Sequence, residues 1–492
     1  MSPETTILLS IAVPLAGAGI IAVTGSRPNL REAATLATAG ALFLLVASLV
    51  PDVLAGERPS ASLGEMLPGL AVAFRVEPLG MIFAAVASFL WIVTSIYSIG
   101  YMRGNAEHDQ TRFYVCFAIA LSNTMGIAFS DNLLTLFIFY EGLTLSTYPL
   151  VTHAGTPEAM RAGRTYLGLL LGTSIGLQLL AILWTWSATG TLTFATGGIL
   201  AGKIEGPAVG VLLFLYMFGI GKAALMPIHR WLPAAMVAPT PVSALLHAVA
   251  VVKAGVFTVV KVLVYVFGLD FLAASATGQW LPYVAAFTLI AASVIALRQD
   301  NLKRRLAYST ISQLSYVVMA AAILAPLSAI GAALHIAAHA FGKITLFFAA
   351  GSISTASHKT EVSQLDGIGR RMPWTMGAFA VGALSMIGVP PTAGFISKWY
   401  ILLGALDSQH MVFVAVIVGS TLLNAAYFLP IVYAAFFRAP PRAAGAAAVD
   451  DHGEAPFAIV LALVISAGGT VLLFFFPGPA LELARQLVGG GE

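Results

Sequence analysis

Residues 207–241 run PAVGVLLFLYMFGIGKAALMPIHRWLPAAMVAPTP, and the fold turns on how this stretch is read. Its first half is apolar enough for a membrane helix. Lys222 then interrupts it, and Pro227, Pro233, Pro239 and Pro241 follow. No continuous helix tolerates that series, because each ring removes an N–H donor and clashes with the preceding turn. Inside a bilayer such a segment is a discontinuous span, whose freed backbone groups must be buried in protein or line water. A second stretch, Gly388-Val389-Pro390-Pro391-Thr392-Ala393-Gly394, repeats the device later in the chain, with Lys398 just beyond it.

The remaining sequence decides for the membrane. Of 492 residues, 59% are hydrophobic and only 10% charged, with mean hydropathy +0.90, whereas soluble domains carry roughly a quarter charged residues. Apolar runs of about 20 residues, the length that crosses a bilayer, begin near residues 5, 33, 78, 112, 131, 162, 208, 242, 279, 307, 327, 374, 411 and 455. The expected fold is therefore an all-α polytopic membrane protein of about fourteen transmembrane helices. Broken spans at matching places in two halves point to inverted repeats. On this reading residues 1–110 hold spans one to three, 111–270 a first five-helix repeat (spans four to eight), 271–440 a second (spans nine to thirteen), and 441–492 a loop and span fourteen.

Several function classes drop out. The start Met1-Ser2-Pro3-Glu4 lacks the positive charge that opens a secretory signal and is read as a retained first helix. A single cysteine, Cys116, excludes an internal disulfide, and no Cys/His cluster suggests zinc or an iron–sulfur centre. Neither a phosphate loop nor a dinucleotide fingerprint is present. No cofactor and no metal are expected, and the formal charge of +3 suggests no nucleic acid. The energy for any work must come from an ion gradient or from partner subunits.

The candidate site consists of ionisable residues inside spans, which are costly in hydrocarbon and functional by default. Glu141 is the one acid in the middle of a span, ten residues past Asp131, or about 15 Å into a core of about 30 Å. The proton affinity of such a carboxylate follows any neighbouring charge that moves; a static ion pair is the alternative. Lys222, Lys253, Lys261, Lys343 and Lys398 also fall within spans. Lys222 and Lys398 flank the two helix breaks. Lys261, near the outer end of span eight, either joins this series or snorkels to the interface. His335, His339 and Lys343, spaced i, i+4, i+8, share one helix face as a relay would require; core histidines satisfied by neighbours are the alternative. His247 and Lys253 lie six apart on different faces of span eight and would contact successive members of a chain.

The motifs Gly221-Lys222-Ala223-Ala224-Leu225-Met226-Pro227, Ala238-Pro239-Thr240-Pro241-Val242-Ser243-Ala244-Leu245-Leu246-His247, Leu302-Lys303-Arg304-Arg305-Leu306-Ala307-Tyr308-Ser309, His339-Ala340-Phe341-Gly342-Lys343 and Gly388 through Lys398 resemble the antiporter-like subunits shared by Mrp-type Na⁺/H⁺ antiporters and respiratory complex I. Within that family the chain is most similar to the D-type subunit of the Mrp antiporters. The resemblance implies two inverted five-helix repeats around a hydrophilic axis. It pairs Glu141 with Lys222, continues through Lys253 or His247 to Lys398, and makes His335, His339 and Lys343 the relay of span eleven.

The function so implied is that of a proton- and cation-translocating subunit of a multisubunit monovalent cation/proton antiporter in the cell inner membrane. Its expected partners are other membrane subunits, H⁺, Na⁺ and the bilayer. It is expected to be an ion transporter and not an enzyme on its own. Two alternatives stand beside it: a proton-pumping subunit of complex I or of a membrane-bound hydrogenase, and a scaffold subunit that transports nothing.

Basic residues fix an expected orientation, because Lys and Arg accumulate in cytoplasmic loops. With the N-terminus outside, the inner loops hold sixteen of them, Arg103, Arg230, Lys303, Arg305, Arg371 and Arg442 included, and the outer side only Arg58, Arg75, Lys203 and Arg485. An even span count returns the C-terminus to the outer face. Reporter fusions placed after Arg305 and after Arg371 should therefore both report the cytoplasm, and two external signals would overturn the topology.

Overall fold

Proline opens many of the helices. Its fixed φ suits the first helical turn, where its missing N–H has no partner to lose, and Pro28, Pro78, Pro157, Pro207, Pro326 and Pro373 all occupy that place. Asn caps two others. Asn132 Oδ1 accepts the N–H of Thr135 at 2.8 Å, and Asn301 Oδ1 that of Arg304 at 3.1 Å, satisfying donors left open at a helix start. The outcome, in a computed structural model describing residues 1–67, 69–439 and 453–489, is a helical membrane protein. Arg442 lies outside the described residues.

Among the described residues ten helices are long and apolar enough to cross a membrane alone. They are Pro3–Val23, Pro28–Leu54, Pro78–Gly104, Gln110–Phe129, Leu133–Val151, Pro157–Thr189, Ala276–Leu297, Pro326–Ser357, Met411–Phe437 and Phe457–Phe475, spans one to six, nine, eleven, thirteen and fourteen. Four more spans complete the set among the described residues. Span ten is Leu302–Ala322, which starts with three basic residues. Span seven begins as Pro207–Gly219 and then breaks. Span eight is assembled from Thr240–Ala244, the π turn Leu245–Val249, Val251–Val262 and the π turn Leu263–Phe267. Span twelve consists of two half-helices, Pro373–Ile387 and Ala393–Asp407. Each span begins within five residues of the position expected from apolar runs.

The structure adds one element that an all-helical expectation omits. An antiparallel hairpin, β1 (Ser60–Leu67) and β2 (Leu70–Arg75), closes one face between spans two and three. It is stitched to span five by the Asp131 N–H donating to the Ala73 carbonyl at 3.0 Å, and the Phe194 N–H in turn donates to the Asp131 carbonyl at 3.0 Å. Short, glycine-bearing strands set between long apolar helices leave little periodic signal.

Span eleven forms the centre. At 32 residues it is about 48 Å long at 1.5 Å per residue, and the apolar window that qualifies it as a span is wholly buried. Spans three, eight, ten, twelve and fourteen pack around it. Both breaks are held by backbone approaching backbone. In span twelve Gly388 ends the first half-helix at φ +91°, a conformation open to glycine. At span seven, Gly255 of span eight presses on the turn carrying Lys222: a Cβ there would lie 2.3 Å from the Lys222 carbonyl carbon and 2.4 Å from Ala223 N.

Gly255→Ala should therefore force the two segments apart and destabilise the purified protein by about 1–3 kcal/mol, the usual cost of overpacking. Gly40→Ala, where nothing lies within 4 Å, should leave the melting temperature unchanged. Equal melting temperatures for the two variants would show that span eight does not brace the break.

Candidate functional site

Lys222 sits inside the break of span seven, not ahead of it. The helix ends at Gly219, a single 3₁₀ turn runs Gly221–Ala223, and Ala224 follows at φ +57°. A side-chain-bearing residue held in that region costs about 1–3 kcal/mol, and it persists where surrounding packing over-determines it. Released from the helix, the fully buried Lys222 reaches span five. Its ammonium donates to the Tyr140 carbonyl and to Thr144 Oγ1, each at 2.7 Å, and lies 3.1 Å from the centre of the Tyr140 ring. The Lys222 N–H donates to the Tyr140 hydroxyl at 3.2 Å.

Glu141 is the next residue on that helix but faces elsewhere. Successive helical positions are 100° apart. Lys222 therefore meets the Tyr140/Thr144 face, whereas Glu141 shares its face with Leu145, which is 57% exposed. Both Glu141 carboxylate oxygens are buried without a hydrogen-bond partner, though the group acts electrostatically on Lys222. The direct pair implied by resemblance is thus not formed in this conformation. The two groups are neighbours across a helix face.

A connected series runs from span eight into the second repeat. Lys253 Nζ hydrogen-bonds His339 Nδ1, and the His339 and His335 rings are centred 6.1 Å apart on span eleven, as i, i+4 spacing requires. His335 Nε2 meets Gln313 Oε1 at 3.0 Å and its Nδ1 meets Ser397 Oγ at 2.9 Å. A proton on Nε2 satisfies the Gln313 carbonyl, while the Ser397 hydroxyl lies between His335 Nδ1 and the Gly394 carbonyl, 3.1 Å away. Gln313 Nε2 then donates to the Met386 carbonyl at 3.3 Å. Lys398 Nζ shares that carbonyl at 2.6 Å and adds Ile387 O at 3.2 Å. Those last carbonyls of a half-helix have no intrahelical partner, so the break itself supplies the acceptors for the lysine. The Lys398 ammonium also lies 4.5 Å from the Tyr316 ring centre.

Lys343 forms a branch. It donates to Ser309 Oγ at 2.7 Å, which also receives the Tyr427 hydroxyl at 3.0 Å, and Tyr427 bonds Asn424. The two groupings meet on span eight, where Lys253 lies two residues from the Gly255 that touches the Lys222 backbone. The side chain of His247 lies outside the described residues. Lys261 does not snorkel to the interface. It is fully buried, in an ion pair with Glu77 at 3.1 Å, because Ser130 and the segment after span six, from Phe194 to Ile199, close over the end of span eight.

Gln313, Ser397, Ser309, Tyr427, Tyr140 and Thr144 were not singled out from the sequence. For span ten a signal existed: Ser309, Ser312 and Gln313, at i, i+3 and i+4, put polar groups on one face of a helix that is otherwise deeply buried. Among the described residues no three His, Cys, Asp or Glu side chains converge on a position that would hold a metal ion.

The NADH:quinone oxidoreductase/Mrp antiporter transmembrane family matches residues 130–424, a segment that contains Glu141 and every lysine and histidine of the array. The N subunit of the NADH-quinone oxidoreductase of Desulforudis audaxviator (strain MP104C) is 32% identical over 482 residues, covering 95% of each chain. The A/B subunit of a probable K⁺/H⁺ antiporter of Rhizobium meliloti (strain 1021) is 31% identical over 472 residues, covering 89% of this chain and 44% of that protein. In the structure of the Mrp complex from Dietzia sp. DQ12-45-1b, one chain shares the fold at TM-score 0.87 and 22% identity, covering 99% of this chain and 97% of that one.

Removing Gln313 should expose how tightly the series is built. Gln313→Leu leaves His335 Nε2 without its partner, and an orphaned buried polar group costs about 1–3 kcal/mol. Thr144→Val removes one of the two oxygen acceptors of the Lys222 ammonium and leaves the Tyr140 carbonyl. Both should lower the melting temperature of the purified protein, and a variant as stable as the wild type would show that its bond does not form.

Proposed function

Because the chain belongs to the NADH:quinone oxidoreductase/Mrp antiporter transmembrane family, we propose that it is a proton-translocating subunit of a multisubunit Mrp-type monovalent cation/proton antiporter. The observation that carries this reading is the buried series from Lys253 through His339, His335 and Gln313 to Lys398. The lysines and histidines of the series bind protons, Gln313 orients His335 beside Lys398, and every member is buried. Residues 111–270 and 271–440 act as the two repeat units, each with one broken span and its lysine. Both termini face outward from the inner membrane, and the partners are the other membrane subunits of the complex.

In this array protons pass singly. Lys222 has Glu141 as its nearby acid, Lys253, Lys343 and Lys398 have none beside them among the described residues, and like charges in a low-dielectric interior repel strongly. A proton arriving at one base therefore favours release from the next. At the first break, Lys222 turns toward Tyr140 and Thr144, away from Glu141. Rotation of its flexible stem to the other side of span five would bring ammonium and carboxylate together, and that exchange is the loading switch.

A second reading has its own support. The N-subunit relative matches along 95% of both chains, which favours a redox-driven complex in which the same axis pumps protons. The two readings share the array and differ in what drives it.

Glu141→Gln keeps the shape of the side chain and removes its titration. In vesicles holding the assembled complex, it should abolish the collapse of the pH gradient on adding Na⁺ or K⁺. Lys222→Ala and Lys398→Ala should impair it similarly, with assembly preserved. Since Glu141 and Lys222 act on one step, their double variant should be little worse than either alone. Near-normal transport by all of these variants would leave the scaffold reading. Gradient formation driven by an electron donor, with no response to added cation, would favour the redox-driven complex.

A further inference from the structure

We propose that the cluster of Glu77, Lys261, Asp131 and Arg75 beneath the hairpin is the mouth through which protons pass between the buried array and the aqueous side on that face, with Glu77 as the carrier. This rests on the proton-path reading above and adds a port to it.

The geometry is that of a staircase. Lys261 lies on the same helix as Lys253, eight residues on, or about 12 Å at 1.5 Å per residue. Its ammonium is fully buried and meets Glu77 Oε2 at 3.1 Å, the Ser130 carbonyl at 2.5 Å and the face of Phe194 at 4.3 Å from the ring centre. Glu77 is itself only 6% exposed. Beside them Asp131, 9% exposed, pairs with Arg75 Nε at 3.1 Å, and the Arg75 side chain is 38% exposed to the outside. From Lys253 to Arg75 the groups thus run from sealed interior to surface. Burial pushes the Asp131 carboxyl up from its ordinary value; Arg75 and Lys261 pull it back and Glu77 adds to the rise. The charged and titratable groups around Glu77 are Lys261 and Tyr265 on span eight, Asp131 before span five and Arg75 on β2, with Arg58 acting on Tyr265.

A purely structural lock is a poor account of this cluster. A buried ion pair contributes little stability relative to packed apolar side chains, since desolvation offsets the attraction. The hairpin is already fastened by the Asp131 N–H on the Ala73 carbonyl and by the Asn132 and Thr135 side chains on β2. What the pair does offer is an acid and a base in contact. The Lys261 ammonium gives its proton to the Glu77 carboxylate, leaving an amine and a carboxylic acid. The acid releases the proton to water past Asp131 and Arg75, and the amine takes another from the direction of Lys253. Charge is balanced at each step, and reversal runs the same sequence inward.

Lys261→Arg separates the two accounts, because a guanidinium keeps the charge and the pairing but does not release its proton near neutrality. Measured in vesicles holding the intact complex, it should lower transport about a hundredfold or more, the range lost when a positioned proton-transfer group is removed, with assembly and melting temperature unchanged. Wild-type transport by assembled Lys261→Arg overturns the proposal. Should that variant fail to assemble, Glu77→Asp keeps a titratable acid one methylene shorter, and transport against pH on the hairpin face should shift its midpoint; an unshifted profile also overturns it. Lys398→Ala, measured alongside, tells the two failures apart. If it abolishes transport while Lys261→Arg does not, only the port is wrong, and if neither matters the proton-path reading falls with it.

Discussion

A lysine ammonium placed at bilayer depth must find oxygen acceptors, and that requirement organises the structure. Each lone charge there costs several kcal/mol unless hydrogen-bonded, yet acids are scarce in this interior. Backbone carbonyls stand in for them. Lys398 takes the carbonyls of Met386 and Ile387 that the broken span twelve leaves open. Lys222 reaches the carbonyl of Tyr140 because span seven unwinds and frees it to do so. The helix breaks are thus the means by which charge is tolerated in the interior.

From that constraint the packing follows. A broken span has fewer internal bonds to hold its shape, so its neighbours must hold it from outside. Gly255 closes against the Lys222 turn, and Gly394 lets the second half-helix of span twelve meet the Ser385 carbonyl, where a Cβ would lie only 1.8 Å away. Span eleven, sealed on all sides, supplies the fixed rail along which His335, His339 and Lys343 are set at one-turn intervals. Movement is then left to side chains with flexible stems, the lysines, while the histidines and Gln313 stay in place. On the proposed reading, an array of bases with few acids carries one proton at a time, and its directionality comes from what approaches its ends.

The two ends differ. Glu141 lies next to the exposed face of span five, with unsatisfied oxygens, whereas Glu77 is paired with Lys261 beneath the hairpin. One acid is therefore poised to respond to a charge that moves, and the other is held in contact with its base.

The sequence by itself determined the membrane fold, the fourteen spans and the two broken ones, because apolar length and proline position are local properties that a bilayer reads directly. It also exposed every lysine and histidine of the array, since an ionisable residue in an apolar run stands out without any knowledge of its neighbours. Three things were decided only by the tertiary structure. Lys222 faces Tyr140 and Thr144 and not Glu141, because helix rotation and the exact end of span seven set which face it meets. Gln313, Ser397 and Ser309 join the array because span ten and span twelve happen to turn those polar groups inward, and common polar residues declare a role only through what they touch. Lys261 is buried and not at the interface because Glu77, Ser130 and Phe194, from distant parts of the chain, close around it. Position along the chain gives depth in the membrane; partner and exposure belong to the contacts between helices, which no single span encodes.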